Sequence, residues 1–191
     1  MRGTNGTKRQ GKLSVLITAC AGVVACTASM SQAGNIWDGG GGDGNWNTFT
    51  NWNSDTTPVS PTLLTFGGTA QLISNNNLFA ADTTFNGLTF SAGAGAFTLS
   101  GAGITLGGTV TNSSASLQTI DLGLKMTGQR TFTLSGGGDI TVGGLITGSA
   151  GLVANGTGGT LTLTNTNTNS GATTIGTAAM TVAIGNDAAL G

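Results

Sequence analysis

The sequence predicts an all-β protein built as a parallel β-helix, a solenoid in which successive coils of chain stack on one another. Three observations lead to this prediction. Short triplets of the form apolar, Thr, apolar recur along the chain, and Gly, Asn and Ser separate them. Two longer stretches also resemble each other at an offset of 35 to 36 residues. An antiparallel β-sandwich, which likewise has short strands at regular intervals, is the alternative.

The first segment, residues 1–33, has the three parts of a secretory signal peptide. Four basic residues lie within positions 1–12, an uncharged and mostly apolar run follows over 13–26, and small and polar residues lead to Ala33. The apolar run is shorter than the roughly 20 residues that a membrane-spanning helix needs. We therefore expect cleavage between Ala33 and Gly34, and no transmembrane segment in the mature chain.

Both cysteines of the chain lie inside this segment, so a mature chain that begins at Gly34 has no disulfide framework. Cys20 and Cys26 each follow a small residue, as the acylated cysteine of a bacterial lipoprotein does. A lipoprotein anchored at Cys20 or Cys26 is therefore the alternative to a chain that is secreted or held at the cell surface.

Residues 34–61 differ in composition from everything that follows and predict an N-terminal cap. They hold all three tryptophans, Trp37, Trp46 and Trp52, and both prolines. Terminal repeats of solenoids are atypical because they must close the core. We expect the three rings to fold over the first coil, and the alternative is that they stay exposed and stack on carbohydrate.

The same region suggests a calcium loop, because Asp carboxylates beside Gly-rich turns are hard oxygen ligands. Asp38, Asp43 and Asp55 lie here, and Gly39–Gly42 precede Asp43. The sequence comes close to the tandem GGxGxD calcium motif but does not match it, because Asp43 falls one residue early and the stretch occurs only once. We predict no metal site and no cofactor.

Residues 62–191 carry the strand pattern and are predicted to form the solenoid. Side chains of a strand alternate between its faces, so each triplet directs two apolar groups inward and one Thr outward. The chain has 35 Gly and 34 Thr, which suit turns and half-buried strands respectively. The predicted inward residues are Leu99, Leu106, Leu134, Val142, Leu161 and Leu163, and the predicted outward residues are Thr98, Thr105, Thr133, Thr141 and Thr162.

The offset of 35 to 36 residues comes from residues 97–112 and 132–148. These read FTLSGAGITLGGTVTN and FTLSGGGDITVGGLITG and share FTLSG, IT and GG once one insertion at Asp139 is allowed. Internal repetition of strand-turn units favours a solenoid over a sandwich.

The composition excludes several classes of function. The chain has no His, Glu or Tyr, which removes histidine-based triads and leaves few ways to pair carboxylates. Lys125 and Arg130 are the only basic residues after position 33, against seven Asp, so nucleic acid is not a partner. A polysaccharide-active β-helix would have to draw its base from these two, so we predict that the chain is not an enzyme.

Residues 159–191, GTLTLTNTNTNSGATTIGTAAMTVAIGNDAALG, resemble the autotransporter-associated β-strand repeat, also called the passenger-associated transport repeat. The opening WDGGGGDGNWNTFTNW is similar to the start of large secreted bacterial proteins that carry this repeat. Asn169, where the repeat often has an aromatic, and Met180, where it has Leu, depart from the pattern. The resemblance implies a right-handed β-helix passenger at the cell surface, without catalytic residues.

These observations together predict a secreted or cell-surface, non-enzymatic structural and adhesion module. Its expected partners are surface glycans or other surface proteins, and the alternative is a carbohydrate-binding module or a polysaccharide-active β-helix. We also expect end-to-end self-association through the apolar, uncharged strand at 180–184. Because the sequence stops within a repeat, we expect either the front part of a longer protein or a shortened relative of the repeat-bearing proteins.

Overall fold

The structure, a computed structural model, describes residues 35–177 and 179–191. Two short 3-10 helices, Phe49–Asn51 and Asn53–Asp55, lie near its start, and the rest is strands and turns. The strands in chain order are β1 (Ile36–Trp37), β2 (Leu63–Phe66), β3 (Ile73–Asn76), β4 (Thr83–Phe85), β5 (Gly87–Phe90), β6 (Thr98–Gly101), β7 (Ile104–Leu106), β8 (Val110–Asn112), β9 (Gln118–Ile120), β10 (Leu124–Met126), β11 (Arg130–Leu134), β12 (Ile140–Val142), β13 (Ile146–Gly148), β14 (Leu152–Gly156), β15 (Thr160–Leu163), β16 (Thr173–Ile175) and β17 (Thr181–Ile184).

The strands form three parallel sheets that run along the length of a β-helix. Sheet A has the order β1-β2-β5-β8-β11-β14-β16, sheet B the order β3-β6-β9-β12-β15-β17, and sheet C the order β4-β7-β10-β13. Each neighbouring pair within these sheets is parallel, which rules out the antiparallel sandwich. The predicted parallel β-helix is thereby confirmed.

The predicted inward and outward faces are confirmed as well. The six predicted inward residues are each at most 1% exposed. The five threonines predicted to face outward are all partly exposed. This agreement follows from the period of two residues in a strand, which places both ends of each triplet on the same face.

The offset of 35 to 36 residues between the two similar stretches is not the length of one coil. Partners in sheet A lie 24, 22, 22 and 22 residues apart, as Thr65, Thr89, Thr111, Thr133 and Asn155 show, so one coil is about 22 residues. The two similar stretches also occupy different faces, since one begins with β6 in sheet B and the other with β11 in sheet A. An offset of 35 to 36 residues therefore corresponds to one complete coil, from β6 to β9, followed by the next two strands, β10 and β11.

The N-terminal residues cap the first coil by pairing with two of its sheets. β1 extends sheet A beyond β2, and Asn45 forms a parallel bridge with Asn75 of β3. A Cβ atom at Gly44 would overlap the carbonyl oxygen of Ile73, so only glycine permits this close approach. Backbone groups at the start of the solenoid therefore have partners in the cap.

The C-terminal end differs, because its last coil leaves interior positions uncovered. Val182 and Ile184 continue the inward columns of Leu161 and Leu163. Ile184 is 48% exposed and Ile175 of β16 is 53% exposed. Together with Thr173 and Leu190 these residues line a shallow apolar cavity of about 240 Å³.

Candidate binding face

The three tryptophans have no exposed surface, so the carbohydrate-stacking role suggested for them lacks a ring face that a sugar could reach. Trp37, Trp46 and Trp52 are each 0% exposed. Trp52 lies edge-on to both others, with ring centroids 5.1 Å from Trp37 and 5.8 Å from Trp46. Burial of large aromatic rings contributes strongly to folding, which explains their position over the first coil.

Each indole N–H also has an acceptor within the fold. Trp46 Nε1 donates to Ser74 Oγ at 2.7 Å, and Trp52 Nε1 donates to the Trp46 carbonyl oxygen at 3.0 Å. Trp37 Nε1 donates to the Gln71 carbonyl oxygen at 3.2 Å. All three indole N–H groups are therefore hydrogen-bonded within the protein, as expected for a structural cap.

Asp43 holds the glycine-rich loop together through its carboxylate. Its Oδ1 accepts hydrogen bonds from the Asn45 backbone N–H and from Asn51 Nδ2, both at 2.9 Å, and its Oδ2 accepts one from Thr48 Oγ1 at 2.9 Å. The Asn45 backbone donor, followed by the Thr48 hydroxyl, lowers the pKa of Asp43 below its ordinary 3.8. Both carboxylate oxygens therefore already have partners in the protein.

The acidic residues considered for calcium do not form a ligand set. Asp38 Oδ1 accepts from the backbone N–H of Gly40 at 3.0 Å, while Asp43 faces the loop donors. Within residues 35–177 and 179–191, no three His, Cys, Asp or Glu side chains come together as a metal site. The calcium alternative thus has no geometric support.

The two basic residues lie apart and are bonded to other groups. Lys125, in the middle of β10, pairs with Asp82 at 2.7 Å on the surface. Arg130, at the start of β11, donates from Nε to the Leu106 carbonyl oxygen at 2.6 Å. Each therefore has a defined partner on an earlier coil, since Asp82 lies two coils before Lys125 and Leu106 lies one coil before Arg130.

The surface feature that the coils build together is a column of threonines on the outside of sheet A. Thr65, Thr89, Thr111 and Thr133 lie directly beside one another in register on β2, β5, β8 and β11. Strands within a sheet are about 4.8 Å apart, so the four hydroxyls repeat at that distance. Among the hydrogen bonds of the described residues, none involves the hydroxyl group of these four threonines.

A second column, of serines, runs parallel to the first. Ser91, Ser113 and Ser135 each lie two residues after a column threonine and so share its face. Their backbone N–H groups continue the ladder to the preceding coil at 2.9 Å, and Ser113 Oγ lies 3.4 Å from Ser135 Oγ. On the other side of the column, Thr109 and Thr131 precede Thr111 and Thr133 by two residues. We call these nine residues the sheet A face.

The sheet A face is uncharged, which distinguishes it from the other two sides of the solenoid. Sheet B has a threonine column of its own, Thr98, Thr119, Thr141 and Thr162, but Asp121 and Asp139 flank it. Sheet C has Lys125 between Thr105 and Thr147. The threonine column without a flanking charge thus lies on sheet A.

Sequence reasoning missed the buried amides that connect neighbouring coils. Gln118 accepts from the Phe97 backbone N–H at 3.1 Å and donates to the Gly95 carbonyl oxygen at 3.0 Å. Asn167 similarly joins Ile146 to Ala189. A signal was present, because Gln118-Thr119-Ile120 is a triplet in which an amide replaces one apolar residue.

The predicted signal peptide, its cleavage between Ala33 and Gly34, and both cysteines lie outside the described residues. Over residues 35–177 and 179–191, no helix is both long enough and apolar enough to cross a bilayer. Comparisons with protein-family models, with curated proteins and with solved structures found no match for this chain.

Proposed function

We propose that the chain is a secreted or cell-surface, non-enzymatic β-helical passenger module whose sheet A face serves in adhesion. The observation that carries this proposal is the unbroken column Thr65, Thr89, Thr111 and Thr133, whose hydroxyls are free for an external partner. Repeated weak contacts along one rigid face sum to a useful avidity without a deep pocket.

The parallel ladders support this role because they fix the spacing of the hydroxyl groups. Every threonine of the column belongs to a strand that pairs on both sides, since β1 and β14 flank the set in sheet A. The β-branched Thr side chain has few rotamers, so little entropy is lost on contact. The candidate partners are surface glycans or other surface proteins.

A carbohydrate-degrading role has less support from the contacts. Such a reaction needs a base beside the substrate. Lys125 is paired with Asp82, and the Arg130 guanidinium is bonded to the Leu106 carbonyl oxygen. Since no observation favours a reaction, adhesion remains the one function proposed.

Export and adhesion are testable with the full chain in a Gram-negative host. We expect an epitope tag on the chain to be accessible to protease on intact cells or present in the medium. Purified chain should adhere to cells or to immobilised surface polymers. Retention in the cytoplasm together with failure to adhere would contradict the proposal.

A matched pair of variants tests the face itself. Thr111→Lys places a charge at the centre of the sheet A column, whereas Thr141→Lys does so at the centre of the sheet B column. We expect adhesion to fall only in the first. An equal loss in both would assign adhesion to a different surface.

A further inference from the structure

The sheet A face has a property beyond adhesion in general, because its hydroxyls repeat in two directions. Across the coils the step is about 4.8 Å, and along a strand two residues span about 6.7 Å. Thr109, Thr111 and Ser113 form one row of this lattice, and Thr131, Thr133 and Ser135 form the next. A soluble ligand is recognised in a concave site by a few placed groups, whereas a periodic face fits a periodic ligand.

The chemistry of the face narrows the class of periodic ligand. An anionic polymer would require clustered Lys or Arg, and the outward positions of sheet A hold no charge. A crystalline polysaccharide presents flat sugar rings that bind best to exposed aromatic side chains, but Trp37, Trp46 and Trp52 are fully buried. What remains is an uncharged lattice of hydrogen-bonding groups that repeats in both directions.

Resting on the adhesive role proposed above, we propose that the sheet A face binds crystalline water, that is, the surface of ice. A face with two fixed repeat distances suits a ligand whose surface also repeats in two directions, as the surface of an ice crystal does. Waters that bridge neighbouring hydroxyls are held almost as well as by direct hydrogen bonds. The face therefore arranges its first water layer at spacings that a growing crystal can adopt.

Threonine suits this role better than a more polar residue. Its methyl group limits competing hydrogen bonds with bulk water, and its branched Cβ restricts the hydroxyl to few positions. In the described part of the column the hydroxyls make no bond within the protein, so they are free to hold lattice water. Four coils make a small face, so we expect slowed recrystallisation of ice rather than a large depression of the freezing point.

The test is an ice-recrystallisation assay with the purified full chain, together with partition of the chain into slowly growing ice. The wild type and Thr141→Lys should inhibit recrystallisation and enter the ice. Thr111→Lys should raise the concentration needed by about tenfold or more. Thr89→Lys, in the same column, provides a second variant should Thr111→Lys fail to fold.

Several outcomes would overturn the inference. The wild-type chain could be excluded from ice and fail to inhibit recrystallisation. Thr111→Lys and Thr141→Lys could lose inhibition of recrystallisation equally. The chain could also bind crystalline polysaccharide but not ice. None of these ice results removes adhesion to cells, which is measured separately, so failure of the ice inference is distinguishable from failure of the proposed function.

Discussion

Replacing Leu134 by Ala tests which residues form the core, because Leu134 lies in the middle of the solenoid. It is 0% exposed and ends β11, with β8 and β14 in register on either side. The substitution removes three carbon groups at about 0.8 kcal/mol each, and the cavity left behind adds to the loss. We expect the free energy of unfolding to fall by about 3–5 kcal/mol.

Thr133→Ser is the matched control, since Thr133 precedes Leu134 on the same strand and faces outward. It removes one partly exposed methyl group and should cost less than about 0.5 kcal/mol. Both variants keep the strand pairing and the charge of the chain. The difference between them therefore reflects which side of the strand is buried, together with the two further carbon groups that Leu134→Ala removes.

Urea titration followed by circular dichroism measures both free energies. With a slope of about 2 kcal/mol/M, Leu134→Ala should lower the unfolding midpoint by roughly 1.5–2.5 M. Thr133→Ser should move it by less than about 0.3 M. Equal losses in the two variants would refute the reasoning, because a slip of one residue exchanges the two faces of a strand.

Four further outcomes are expected. Gln118→Leu leaves two buried backbone groups without partners and should cost about 1–3 kcal/mol or more in the same titration. Folding lowers the pKa of Asp43, so its stabilising effect is complete above about pH 4 and is lost as pH falls through the lowered value. Acid unfolding followed by tryptophan fluorescence should accordingly be less steep in Asp43→Asn, and an unchanged profile would contradict this. Ile184→Lys, at the open end, should reduce association in light scattering, whereas Ile73→Lys, on the side of sheet B, should not. Intact mass of the exported chain should correspond to a start at Gly34, and a start at Met1 would show that no signal is removed.

The end-to-end association first expected from the sequence now has a more specific basis. Val182 is partly buried and continues an inward column, so it is not a solvent-facing residue of the last strand. Ile184, at 48% exposure, is the better position for a charge because it lies at the uncovered end of the core. This is why the predicted substitution is at Ile184.

The candidate site was only partly predictable. The outward direction of each threonine followed from the strand period alone. That Thr65, Thr89, Thr111 and Thr133 form one column did not, because their alignment depends on the lengths of the turns between them. Those turns differ in sequence, and only the stacked coils show that each circuit closes after about 22 residues.

The sequence by itself determined the local properties of this protein. The alternation of apolar residues with Thr fixed which side chains are buried, since neighbouring side chains in a strand point to opposite faces. Gly, Asn and Ser between the triplets fixed where the strands end. These features depend on interactions among residues close in the chain, and so they can be deduced without coordinates.

The tertiary structure decided everything that depends on pairing between coils. It placed Leu99 and Leu134 in different sheets despite their matching sequences, and it buried Trp46 against Ser74. It also turned Gln118 inward to connect two coils. The physical reason is that these contacts join residues 20 or more positions apart, whose alignment is set by how each coil closes and stacks on the one before it.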